Sequence, residues 1–235
     1  MKWMILRSAV FVAVLLVVFG LLFPASADAH NVSKRDAGFV QSIQGPAIIP
    51  FVYLGAKHMV TGYDHLAFLV GVIFFLYKLK DVLLYVSLFT VGHSITLLAG
   101  VLLGIHANPY LIDVIIGLSV VYKAFDNLNG FRSLFGFQPN TKMAVLLFGL
   151  FHGFGLATKL QELELAKNGL VTNILSFNVG VEIGQALALT AILIALTFWR
   201  TRPGFLRYTV ATNTALMVIG FLLVGYQLTG YVVGS

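Results

Sequence analysis

Four short polar patches interrupt otherwise apolar sequence in this chain. They are Gly62-Tyr63-Asp64-His65, Thr90-Val91-Gly92-His93-Ser94-Ile95-Thr96, Gly149-Leu150-Phe151-His152-Gly153 and Asn178-Val179-Gly180-Val181-Glu182-Ile183-Gly184-Gln185. Together they supply three imidazoles, His65, His93 and His152, and two carboxylates, Asp64 and Glu182. Neutral imidazole combined with carboxylate suits divalent first-row metals such as Ni, Co, Zn or Cu(II). Thr90, Ser94, Asn178 and Gln185 stand beside these groups as pathway or supporting residues. There is no His-x3-His pair and no His-Glu-x2-His motif, so spacing within one helix does not make the site. The case rests on bringing four segments to one depth.

The elements that must position these groups are membrane helices. Of 235 residues, 59% are hydrophobic and 10% charged, and the mean hydropathy is +0.93. A water-soluble domain of this size cannot bury so much apolar surface, so the lipid bilayer must solvate part of it. The formal charge of +6 does not point to nucleic acid, because the basic residues are scattered between apolar spans. Cysteine is absent, which excludes disulfides and thiolate metal sites and leaves the redox compartment undetermined. Apolar stretches of spanning length lie near 62–78, 82–105, 109–128, 142–161, 170–199 and 207–229. The expected fold is an all-α integral membrane protein of about six transmembrane helices in one domain, residues 61–235.

The N-terminus reads as a cleavable signal peptide over residues 1–29. Lys2 and Arg7 form a basic region and Ala9 to Phe23 an apolar one, before small-x-small sites ending at Ala27 or Ala29. Cleavage after Ala29 would expose His30, whose free amine and imidazole form a possible chelator. Residues 30–60 read as a periplasmic tail followed by an interfacial segment, broken by Pro46 and Pro50. A signal peptide places the mature N-terminus outside. The loops after spans 1, 3 and 5 then face the cytoplasm, and they carry Lys78 and Lys80, Arg132 and Lys142, and Arg200, Arg202 and Arg207. The opposite loops are poor in basic residues, in accord with the positive-inside rule. Both mature termini are thus expected on the periplasmic side of a bacterial inner membrane.

Depth follows by counting from those cytoplasmic edges. His65 lies thirteen residues from Lys78, His93 thirteen from Lys80 and His152 ten from Lys142. At the helical rise these positions are roughly 15–20 Å from the edge, near the midplane. Ionisable groups at that depth are expensive unless paired or functional. Glycines four apart, at 149 and 153 and at 180 and 184, permit close helix contact around His152 and Glu182. Asp113 sits near the outer end of span 3 and could line an entrance. Lys123 and Asp126 are three apart and suit a structural pair, while Asp126-Asn127 could equally line a cytoplasmic exit. A faint repeat relates Phe89-x-Val91-Gly92-x2-Ile95 to Phe177-x-Val179-Gly180-x2-Ile183, and Gly62-x2-His65 to Gly149-x2-His152. These offsets of 88 and 87 residues would make an inverted 3+3 architecture.

The four patches, in this order, resemble the HupE/UreJ family, with the resemblance running from about residue 50 to the end. The resemblance implies a hydrogenase- or urease-associated bacterial membrane protein, with nickel as the favoured ion and metalloenzyme maturation proteins as possible partners. It assigns Asp64, His65 and His152 to the family's histidine-containing motifs. The chain departs from the nickel-permease branch, which has His-Pro before the first Gly-x-Asp-His and a further His and Glu after Phe-His-Gly. Here Met59-Val60-Thr61 and Gly155-Leu156-Ala157 stand in those places, and the second, less characterised branch is the better match.

Three functions suit these residues. One is transport or handling of a divalent transition-metal cation by a midplane relay of histidines and carboxylates, with no nucleotide-binding motif to power it. The alternatives are an intramembrane zinc hydrolase, with three histidines on the metal and a carboxylate placing water, and a scaffold for accessory proteins. For processing and topology, mass spectrometry of the membrane-purified protein should show loss of the first 27 or 29 residues, and a C-terminal reporter should be periplasmic. An intact Met1 with a cytoplasmic C-terminus would overturn both expectations.

Overall fold

A computed structural model describes residues 34–163 and 166–234. The signal segment and His30 lie outside the described residues. Every regular element among those described is a helix: α1 (Lys34–Ser42), α2 (Ile48–Thr61), α3 (Tyr63–Ile73), α4 (Leu79–Leu103), α5 (Pro109–Asn127), α6 (Gly130–Phe135), α7 (Thr141–Glu162), α8 (Leu170–Arg200) and α9 (Phe205–Gly234). Four of these, α4, α7, α8 and α9, are long and apolar enough to cross a membrane. The 19-residue α5 is less apolar because it includes Asp113, Lys123 and Asp126. The α3 helix is apolar but only 11 residues long.

The first expected span is built differently from the uninterrupted 62–78 segment read in the sequence. It is a broken helix, α2 followed by α3, hinged at Gly62. The Gly62 N–H still donates to the His58 carbonyl at 2.9 Å, but ψ of 101° leaves the helical region. Residues 48–61, expected at the interface, instead pack along α8. Pro50 does not prevent this, since in the first turn of α2 no intrahelical partner waits for its missing N–H. Asn173 of α8 fixes where α2 begins: its Oδ1 accepts from the Ala47 N–H at 2.7 Å and its Nδ2 donates to the Gly45 carbonyl at 3.0 Å. At the other end α3 stops at Ile73. The Arg200 guanidinium closes this end, donating to the carbonyls of Ile73 and of Phe74 and Leu76 just beyond it, and lies over the Tyr77 ring.

Glycine sets the closest helix approaches. A Cβ on Gly149 of α7 would strike the Phe89 carbonyl of α4, and one on Gly92 would lie 2.5 Å from the Leu146 carbonyl oxygen. The same contacts recur between α2 and α8, where Gly55 meets the Phe177 carbonyl and Gly180 the Val52 carbonyl. Both pairs run parallel. A third pair, α5 with α9, is antiparallel and reciprocal: Gly117 abuts Gly220 and Val224, while Gly220 abuts Gly117 and Val121. The recurrence equates Gly55 with Gly149 and therefore His58 with His152. Gly62-x2-His65, the match read in the sequence, is displaced because Gly62 marks the hinge and not the helix contact.

These pairings bring all the loop basic residues listed above to one end of the bundle, since α4 and α7 start there and α3 and α8 finish there. Beside a third, small cluster that joins Ala124 of α5 to Leu216 and Met217 of α9, two large apolar clusters fill the interior. One, toward the basic end, contains Phe68, Val72, Phe89, Val145 and Leu196. The other contains Phe51, Met59, Leu97, Leu156 and Phe177. Between them lies a polar layer. Because Gly180 has Val52 backbone against it, Gly180→Val should lower the midpoint of thermal unfolding in detergent by several degrees, an overpacking cost of about 1–3 kcal/mol. Gly38→Ala, inside α1 with nothing within 4 Å, should not lower it.

Candidate functional site

The polar layer contains four histidines from four helices. His65 of α3 is central, with ring centres 5.1 Å from His58 of α2, 6.0 Å from His93 of α4 and 4.9 Å from His152 of α7. His65, His93 and His152 are at most 2% exposed, and His58 is partly buried. Phe89 and Phe68 wall the group on the basic side, with Phe89 5.0 Å from His152 and 6.1 Å from His93. Phe177 stands 6.2 Å from His58. The helix break makes this possible. At Gly62 a Cβ would approach His65 Nδ1 to 3.0 Å, so the missing side chain leaves room for the ring to turn under α2.

Hydrogen bonds orient two of the rings. His65 Nδ1 lies 3.1 Å from Asp64 Oδ1, and His152 Nδ1 lies 2.7 Å from the Phe148 carbonyl oxygen. A carboxylate or carbonyl can only accept, so Nδ1–H donates in both, and a neutral ring then has its lone pair on Nε2. That is how a metal-ligating histidine is held by a second group. The Nε2 atoms of His58 and His65 and both ring nitrogens of His93 are buried with no hydrogen-bond partner. A buried unsatisfied polar group costs about 1–3 kcal/mol, so these rings are not explained as packing. Two imidazoles sharing one ion at 2.0–2.1 Å have ring centres about 5 Å apart. The observed spacings are of that size. Among the described residues, no three His, Asp or Glu side chains are already drawn into metal-binding geometry.

The remaining candidates divide by location. Gln185 of α8 donates to Thr90 Oγ1 of α4 at 2.8 Å, and Thr90 donates to the Val86 carbonyl at 3.0 Å, so both join helices beside the layer. Thr96 ties α4 to α7 through the Leu150 carbonyl at 2.6 Å. Asn178 and Ser94 keep buried side-chain oxygens without partners. Glu182, read as a ligand, is on the exposed face of α8. The repeat equates His93 with Val181, which is buried, and Glu182 lies about 100° further round the helix. Lys123 and Asp126 form the expected pair at 2.6 Å. Asn127 belongs to the same knot, accepting from Lys123 at 2.7 Å and donating to the Gly71 carbonyl at 2.8 Å and Asn213 Oδ1 at 2.9 Å. Gln138 donates to the other Asp126 oxygen. Asp113 pairs across helices with Lys159 of α7 at 2.8 Å.

Sequence reasoning missed His58 and Lys159. A signal for His58 was present: Gly55-x2-His58 repeats Gly149-x2-His152, and His58 stands seven residues, two helical turns, before His65. The two prolines hid it by making the segment look unsuited to a core helix. Lys159 had no such signal, because its partner comes from another helix.

Fold and site together define a helical membrane protein with a buried histidine layer. Residues 34–235 match the HupE / UreJ protein family, and the chain belongs to it. No curated protein and no solved structure matches the chain significantly.

Proposed function

We propose that this protein carries a divalent transition-metal cation, nickel or a similar ion, across the bacterial inner membrane through the histidine layer. The HupE/UreJ family is associated with nickel or cobalt transport and accessory roles, which agrees with this reading. The observation that supports it most is that His58 Nε2, His65 Nε2 and both His93 nitrogens are buried without a hydrogen-bond partner. In this reading His58, His65, His93 and His152 supply neutral nitrogen donors suited to such ions, and Asp64 holds His65 and lowers the charge of a bound dication. The donors are close without being converged, so the ion would draw them together by small rotamer changes and release them on leaving.

The architecture fits a transporter of inverted 3+3 design, with α2–α3, α4 and α5 as one unit and α7, α8 and α9 as the other. The reciprocal glycine contacts of α5 with α9, and the matched contacts of α4 with α7 and of α8 with α2, support that assignment. In such folds the substrate site lies near the midplane where the repeats meet, and one member of a repeat is a discontinuous helix. The break at Gly62 beside His65 is such a feature. Basic residues at one end of the bundle support a cytoplasmic placement of that end, with six crossings and both termini outside.

Cells producing the protein should accumulate nickel or cobalt above vector controls, measured by elemental analysis after brief exposure to each of nickel, cobalt, zinc and copper. His58→Ala and His93→Ala should cut the accumulated metal at least tenfold at equal protein level. Parental accumulation in both variants would end the transport reading. Loss of the protein itself in both would show that the imidazoles are structural.

A further inference from the structure

We propose that the Asp113–Lys159 ion pair is the gate between the histidine layer and the end of the bundle opposite the basic loops, with the Lys159 ammonium occupying the carboxylate until an incoming divalent cation displaces it. This rests on the transport reading and adds the residue that controls entry.

Position comes first. Lys159 follows His152 by seven residues, about 10 Å along α7. Asp113 reaches α7 nearer the layer: a Cβ on Gly155, three residues past His152, would lie 3.4 Å from Asp113 Oδ1. The carboxylate therefore meets α7 at a level between His152 and Lys159 along the chain. The Asp113 side chain is buried at 5% exposure and that of Lys159 is partly buried at 10%. An ion entering from this end meets this carboxylate before the imidazoles.

The second point is that the pair is incomplete. Asp113 Oδ1 is buried with no hydrogen-bond partner, and Lys159 makes one hydrogen bond among the described residues. The other buried Lys–Asp pair in the bundle is the control. There Lys123 donates to both Asp126 and Asn127, the second Asp126 oxygen accepts from Gln138, and Asn127 is held by Gly71 and Asn213. That knot is saturated and reads as a fixed joint. A buried ion pair gains little net stability after desolvation, so an unsaturated one is poorly explained as a structural brace. Its open carboxylate oxygen is instead a vacant ligand for a cation with twice the charge of the ammonium.

The third point is mechanical. The α4–α7, α2–α8 and α5–α9 pairs meet backbone to backbone at glycine. Between α5 and α7, a Cβ on Gly155 would meet only side-chain ends, Ile116 Cδ1 at 2.9 Å, Ile112 Cγ2 at 3.2 Å and Asp113 Oδ1 at 3.4 Å. Asp113–Lys159 thus bridges a joint that side chains can open, between the glycine-seated α5–α9 and α4–α7 pairs.

The chain has no cysteine, so one reporter thiol can be placed in the layer by His93→Cys. Its reaction with a membrane-impermeant cationic methanethiosulfonate would be followed in right-side-out spheroplasts and in inside-out vesicles. In the reporter alone, labelling from outside should be slow. Adding Lys159→Met or Asp113→Asn should accelerate outside labelling at least tenfold, and the charge swap Asp113→Lys with Lys159→Asp should restore protection. Lys123→Met, which breaks the saturated knot, should not accelerate outside labelling. Unchanged labelling in both single variants would overturn the gate, as would acceleration only from inside or equal acceleration by Lys123→Met. The readout uses no metal. If labelling follows this pattern while the parent accumulates no metal, the gate stands and the cargo assignment falls.

Discussion

Backbone contact at glycine is the constraint on which the rest of this structure depends. Gly92, Gly149 and Gly153 seat α4 against α7, and Gly55, Gly180 and Gly184 seat α2 against α8. In a bilayer, apolar side chains gain little by leaving lipid for each other, so close packing and short polar contacts must hold helices together. Removing a Cβ at the crossing achieves both. It lets dispersion act between backbones, and it brings Thr96 within reach of the Leu150 carbonyl. Depth of the histidines is a consequence: a one-residue slip of α4 on α7 would carry His93 off the layer shared with His152.

The polar layer lies where two apolar clusters meet, and its composition is uneven. Phe89 and Phe68 close it toward the basic end, while Met59, Leu97 and Leu156 belong to the apolar cluster on the other side. Burying imidazole nitrogens without partners in such a place costs free energy that packing does not return. The proposed cation transport would give that cost a purpose, and the helix break at Gly62 sits beside it. The two buried Lys–Asp pairs differ for a related reason. One is enclosed by amide groups from three segments and reads as architecture. The other leaves a carboxylate oxygen open beside the layer.

Composition and apolar run length determined the class from the sequence alone, because no water-soluble fold disposes of so much hydrophobic surface. His65, His93 and His152 were legible as one layer because the helical rise is constant and the loop basic residues mark a common starting edge. The Lys123–Asp126 pair was legible because its partners share one helix. Tertiary structure decided the rest. Side-chain azimuth about a helix depends on which neighbour that helix meets, so Glu182 proved exposed although its depth suited the layer. The role of residues 48–61 depended on Asn173 and the α8 glycines, 126 or more residues away, which no local pattern reveals. His58 joined the layer through that same docking, and Lys159 found Asp113 only when α5 met α7. Periodicity and charge act along the chain and can be read there, whereas azimuth, pairing and register are settled by contact between helices.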